Sequence, residues 1–209
     1  MWLSILVISI FFVAYAVLHS LLAGAAIKNR IRHMCGPGTD RWYRLAYNVF
    51  AIVTLLPMVL LIALMPDQLL YRVPAPWRWL MIGGQLLAVA GLAVTLWQTG
   101  IFHFAGLTQL LDERPTAGTP LQLSGFYRWV RHPLYFFSLL FLWLTPVMTV
   151  NLLTTFAVFT LYFWAGSIYE EQRLLAAFGA AYRDYQRRVP RLIPLPGRRK
   201  LDGGSLGLE

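Results

Sequence analysis

Five apolar runs, at about residues 2–27, 42–65, 77–97, 134–149 and 152–167, leave this chain little choice but to put helices in lipid. A straight helix needs about 20 apolar residues to cross a bilayer core, and the first three runs are long enough. The last two are shorter. They reach across only if their charged ends lie in the interface or continue as charged helix. Hydrophobic residues make up 58% of the chain and charged ones 13%, too apolar for an ordinary soluble domain. The reading is an all-α integral membrane helical bundle, with about five transmembrane helices and a C-terminal amphipathic helix. Residues 1–200 read as a single domain and 201–209 as a disordered tail or an appended remnant.

The formal charge of +9 would suit a nucleic-acid partner, but the basic residues cluster where apolar runs end. That pattern fits a membrane protein and argues against nucleic acid. Lys28, Arg30, Arg32, Arg41 and Arg44 follow the first run, and only Arg72 and Arg78 follow the second. Arg114, Arg128 and Arg131 follow the third, and none follows the fourth. The tail carries Arg173, Arg183, Arg187, Arg188, Arg191, Arg198, Arg199 and Lys200. The alternation predicts an N-terminus outside and a C-terminus in the cytoplasm. Trp42, Tyr43, Trp77, Trp79 and Trp97 sit where interfacial anchors belong. The first run lacks the basic start of a signal peptide and reads as a retained span.

Common catalytic signatures are missing. No dinucleotide-binding glycine pattern, P-loop, His-Glu-x-x-His or Gly-x-Ser-x-Gly is present. His19, His33, His103 and His132 share no metal-ligand spacing. The single cysteine, Cys35, excludes an internal disulfide. His19 reads as a hydrogen-bonded helix contact, and the scattered methionines as packing.

Chemistry concentrates at the two feet of the last apolar hairpin. One foot is Arg131-His132-Pro133 and the other is Glu170-Glu171. Counting outward from the turn near Pro146, Arg131 and Glu170 lie within about one helical turn of the same depth. Ionisable groups held together at a membrane edge are a functional hypothesis by default. Glu170 could receive an ammonium group, and His132 or Arg131 a carboxylate or anionic acceptor. Tyr127, Tyr135 and Tyr169 could present aromatic faces to a sulfonium or an adenine. The alternative is an Arg–Glu bridge that merely staples the hairpin. Beyond it, Leu174, Phe178, Tyr182 and Tyr185 repeat at helical spacing, which predicts an amphipathic continuation over 170–188. It serves as a membrane anchor, as a pocket wall, or as both.

Those residues resemble the membrane methyltransferases typified by isoprenylcysteine carboxyl methyltransferase, with related patterns in the phospholipid methyltransferases. The likeness covers about residues 104–194. It includes Gly125-x-Tyr127, Arg131-His132-Pro133-x-Tyr135, Glu170-Glu171, Leu174, Phe178-Gly179, Tyr182, Tyr185 and Val189-Pro190. The resemblance implies S-adenosyl-L-methionine as cofactor, held without a Rossmann fold at the cytoplasmic ends of the last helices. It implies cofactor contacts from Gln109, from Thr119, Pro120, Leu121 and Gln122 near the adenine, and from Tyr127, His132, Pro133 and Tyr135. Glu170 would face the amino-acid end, and Arg131 would orient the acceptor or stabilise its negative charge.

Two positions depart from that family. Phe137 stands where glycine is frequent and would narrow a passage between helices. Gly166 stands where the isoprenylcysteine enzymes carry a substrate-binding arginine, which argues against a prenylated-protein carboxylate. Residues 141–149 and 102–110 look like the bacterial methanethiol S-methyltransferases, while 16–23 and 42–55 look more NnrU-like. The expected activity is S-methyl transfer to a small thiol or lipophilic acceptor. The alternatives are a lipid or isoprenylcysteine carboxyl methyltransferase, a non-catalytic NnrU-like accessory protein, and a sterol-reductase-like enzyme, which would need a nicotinamide site.

Overall fold

The computed structural model describes residues 1–108 and 121–194. Three long apolar helices open the chain: α1 (Trp2–Ala23), α3 (Thr39–Leu64) and α4 (Trp77–Thr99). Between α1 and α3 lies α2 (Ala25–Cys35), a short basic helix with no buried residue. The short α5 (Ile101–Ala105) follows α4. A 3₁₀ turn (Gly125–Arg128) leads to α6 (Pro133–Trp143), and α7 (Val150–Arg188) is the longest helix. With α7, four helices among the described residues are long and apolar enough to cross a membrane.

Large apolar side chains on these helices point outward. Leu86, Leu87 and Trp97 on α4 are 66%, 73% and 80% exposed. A soluble domain could not present such a surface to water, whereas lipid takes it without penalty. The architecture is therefore all-α and of the integral membrane class, as the composition predicts.

The fourth apolar run departs from expectation. Its helix stops at Trp143, and Val147–Thr149 forms a strand, β2, antiparallel to β1 (Leu69–Arg72). At about 1.5 Å per residue, the 11 residues of α6 cover roughly half of a bilayer core. Pro146 cannot donate to a helix ladder, and its carbonyl accepts the Val73 N–H at 2.9 Å.

The described chain divides into two compact units. The first comprises Met1–Val73, the stretch from Thr99, and Pro146–Val158. Within it, α1 buries Ser4, Ile8 and Phe12, one side chain per turn on a single stripe. Ser4 Oγ donates to the Pro66 carbonyl at 2.7 Å. His19 Nε2 meets the Tyr47 hydroxyl at 2.6 Å, the helix contact expected of it.

The second unit comprises Pro74–Gln98, Pro120–Thr145 and the chain from Phe159 onward. Here α4 buries the small residues Ala88, Gly91 and Thr95. A Cβ at Gly91 would collide with the Phe137 ring, and one at Gly84 with Leu144. Small residues on α4 thus leave room for large side chains that follow Pro133, the Phe137 ring at Gly91 and Leu144 at Gly84.

Candidate active site

Every described residue of the charged cluster lies in this second unit. The local sequence explains how Arg131 and His132 are presented. Gly125 opens the 3₁₀ turn at φ +61°, and a Cβ there would run into the Gln98 side-chain amide. Only glycine satisfies both demands at low cost. Gln98 Oε1 accepts the Phe126 N–H at 3.3 Å, and its carbonyl accepts Gln122 Nε2 at 3.3 Å. Pro133 begins α6, where its missing N–H costs nothing, so His132 sits at the helix entrance.

The opposite wall comes from α7, made of two helical stretches joined at Gly179, whose φ 55° and ψ −122° suit glycine alone. Beyond it, Tyr182, Tyr185 and Val189 are fully buried, with Leu121, Leu123, Leu174, Leu175 and Phe178 packed around them. The Tyr185 hydroxyl donates to the Tyr127 carbonyl at 2.6 Å. The apolar face of the tail is therefore covered by protein and builds a wall of the site. The chain then pairs with the first foot. Arg131 N–H donates to the Pro190 carbonyl at 2.9 Å, and His132 N–H to the Arg191 carbonyl at 3.1 Å.

Between these walls sits a buried ion cluster. Arg131 Nε donates to Glu171 Oε1 at 2.7 Å, and its Nη1 donates to the Gln186 and Val189 carbonyls at 2.7 and 3.0 Å. Glu171 also receives Gln186 Nε2 at 3.0 Å and Arg191 Nη2 at 3.1 Å. His132 Nε2 lies 3.3 Å from Glu171 Oε1, and its Nδ1 lies 3.3 Å from Glu170 Oε2. The same Glu170 oxygen accepts the Tyr135 hydroxyl at 3.2 Å. Side-chain exposure is 7% for Arg131, 5% for His132 and 4% for Glu171, but 49% for Glu170. Tyr135 stacks between His132 and Phe163, with ring centroids 5.3 and 5.0 Å away.

Burial alone would lower the pKa of His132. Hydrogen bonds and charge from Glu170 and Glu171 outweigh it and raise the value above that of an ordinary histidine. A neutral imidazole has one donor, so contacts to two carboxylates call for the protonated ring.

The structure thus brings Arg131, His132, Tyr135 and Glu170 to one cluster, with Pro133 beside His132 at the start of α6 and Tyr127 joined through its carbonyl to Tyr185. Arg131 pairs with Glu171 where the depth count had matched it to Glu170. Leu121 packs on the Tyr182–Tyr185 core, and Gln122 bonds to Gln98 and Ser124. Gln109, Thr119, Pro120 and residues 201–209 lie outside the described residues. The central place of Glu171 was not legible as such; its adjacency to Glu170 was the one available signal. Among the described residues no cluster of His, Cys, Asp and Glu could hold a metal ion.

The relatives of this chain, not its charge cluster alone, set its class: it is a membrane methyltransferase-like protein. The chain belongs to the family whose model is described as "Protein of unknown function (DUF1295)", which matches residues 28–189. It is 34% identical to methanethiol S-methyltransferase 2 of Bradyrhizobium diazoefficiens over 90% of this chain and 77% of that protein. It is 32% identical to the methanethiol S-methyltransferase of Pseudomonas deceptionensis over 92% of this chain and 73% of that one. The methanethiol S-methyltransferase of Crocosphaera subtropica is 34% identical over 59% of this chain, which there spans only 56% of its relative's length. No solved structure matches the chain.

Proposed function

We propose that this chain is an integral membrane methyltransferase that takes a methyl group from S-adenosyl-L-methionine and passes it to a small thiol. The observation that carries the donor site is the state of Glu170. Its Oε2 is anchored by His132 and Tyr135, and the side chain is half exposed. Among the described residues its Oε1 takes no hydrogen bond. A carboxylate held by one oxygen and open at the other fits an ammonium group, which supports assigning the amino-acid end of the donor to Glu170. His132, Pro133 and Tyr135 surround that end, and Tyr127, Leu121 and Gln122 stand on the stretch before it. Gln109, Thr119 and Pro120 complete the proposed set from sequence.

When bound, the donor supplies an electrophilic methyl on a sulfonium. The protein's part is to align the acceptor and keep water away. Arg131, His132 and Arg191 oppose Glu170 and Glu171, three cations against two carboxylates, so the cluster carries a surplus positive charge that favours thiolate over thiol. Two of the Arg131 nitrogens are committed to Glu171 and main-chain carbonyls. We therefore assign Arg131 to supplying this field while it holds the turn.

The small acceptor is supported by the names of the relatives and by two positions in this chain. Phe137 fills the space left by Gly91, and Gly166 offers no cation beside the Tyr135 hydroxyl. The Lys and Arg distribution supports an outside N-terminus and a cytoplasmic site.

The test follows label from methyl-labelled S-adenosyl-L-methionine into volatile dimethyl sulfide, with purified protein in lipid nanodiscs and methanethiol. Label in the volatile fraction is expected. Label only in the lipid extract would move the acceptor to a lipid. Donor binding without any transfer would favour the accessory-protein alternative.

A further inference from the structure

We infer that Glu171 is the positioning residue of this site: from a place closed to solvent it fixes the imidazole of His132, and through it the carboxylate of Glu170. The functional readout rests on the donor-binding reading above.

The geometry separates the two carboxylates by task. Glu171 is 4% exposed and collects four donors, from Arg131, His132, Gln186 and Arg191. These come from three stretches of chain: the turn before α6, the end of α7, and the segment after it. A carboxylate so saturated has no lone pair to offer a ligand. What it offers is orientation. Its contact with Nε2 fixes the ring so that Nδ1 points at Glu170 Oε2. Stacking on Tyr135, with ring planes 6° apart, removes the remaining freedom of tilt. Glu170 is thus held through a relay from a deep anion to a half-exposed one, in the way that buried carboxylates orient ligand-bearing histidines elsewhere.

Deleting the charge of Glu171 leaves a buried imidazolium facing one carboxylate instead of two. Glu170 and Glu171 from α7 face His132 directly, Tyr135 from α6 stacks on it, and Arg131 and Arg191 share the Glu171 carboxylate with it. Tyr182 on α7 is buried beside the same cluster, among the charges of Glu171, Arg131, Glu170 and Arg191. Removing Glu171 and removing Arg191 therefore push the proton of His132 in opposite directions.

The experiment uses the full chain in nanodiscs with ¹⁵N-histidine labelling, His132 being assigned by the H132N spectrum. Binding of S-adenosylhomocysteine is measured alongside by calorimetry. Wild type should titrate His132 above the ordinary histidine value. Glu171→Gln should lower that midpoint by about one unit or more, and weaken S-adenosylhomocysteine binding at pH 8 about tenfold. Arg191→Gln should raise the midpoint, and Glu171→Asp should restore part of both. A residue that only supports the fold would weaken binding without moving the midpoint in opposite senses. Unchanged His132 titration in both Glu171→Gln and Arg191→Gln would overturn the inference. Should Glu171→Gln not fold, Arg191→Gln, at a side chain 35% exposed, still decides by its sign. Absence of S-adenosylhomocysteine binding by wild type, with the titration shifts intact, would sink the donor assignment and leave the positioning one.

Discussion

Glu170 and Glu171 are chain neighbours on α7 with opposite surroundings: one is 49% exposed and held at a single oxygen, the other is 4% exposed and saturated by four donors. A helix turns about 100° per residue, enough to send one carboxylate into the protein and the other to its edge.

The division predicts that Glu170→Gln spares the fold and loses the ligand. The apparent melting temperature in detergent should stay within a few degrees of wild type. Binding of S-adenosylhomocysteine should fall at least about 30-fold, since a charge-assisted hydrogen bond is worth roughly 1.5–3 kcal/mol. Undiminished binding would remove Glu170 from the donor site.

Arg131→Ala should do the reverse of a surface change. It leaves Glu171 buried without its shortest partner and orphans the Gln186 and Val189 carbonyls. Breaking such a pair from one side costs about 3–5 kcal/mol. Arg131→Lys should rescue only part of it, because an ammonium cannot span a carboxylate and two carbonyls in one plane. Denaturant titration in detergent would measure both.

The pH dependence of stability has a definite sign. The folded-state pKa of His132 lies above its unfolded value, so its contribution is whole below about pH 6.5 and is lost as pH rises through the higher folded-state value. Wild type should thus lose thermal stability over that window more steeply than His132→Asn. Parallel profiles for the two proteins would count against the doubly bonded imidazolium.

Cys35 reports orientation. It is an exposed free thiol on the last residue of the basic helix α2, on the side that the Lys and Arg pattern assigns to the cytoplasm. A membrane-impermeant maleimide should leave it unlabelled in intact cells and label it after permeabilisation. Labelling of intact cells would invert the topology.

Hydropathy made the long helices legible, with ends shifted by a few residues: 42–65 against Thr39–Leu64, and 77–97 against Trp77–Thr99. It misjudged 134–149, because an apolar run reads alike as helix or strand until its partner is known. Leu69–Arg72 supplied that partner, and nothing in those four residues announced it. Likewise the tail of the first run, 24–27, belongs to a break at Gly24 and the start of α2. The charged cluster was legible as a place but not as a wiring. Counting residues from a turn gives depth along a helix axis and leaves the rotation about it undetermined. The pairing of Arg131 with Glu171, and the fourfold saturation of that carboxylate, depend on that rotation and on Arg191, some 20 residues further along the chain.

The two main-chain bonds from Arg131 and His132 to Pro190 and Arg191 carry a consequence for biosynthesis. The first foot of the site leaves the ribosome about 60 residues before the segment that completes it, given elongation from one end. Until that segment arrives, the amides of Arg131 and His132 lack their protein acceptors, and Glu171 lacks one of its cations. A nascent chain can therefore have all its long helices inserted and still hold a half-wired charge cluster. Competence is conferred by a strip of backbone that emerges only after the helices it ties together.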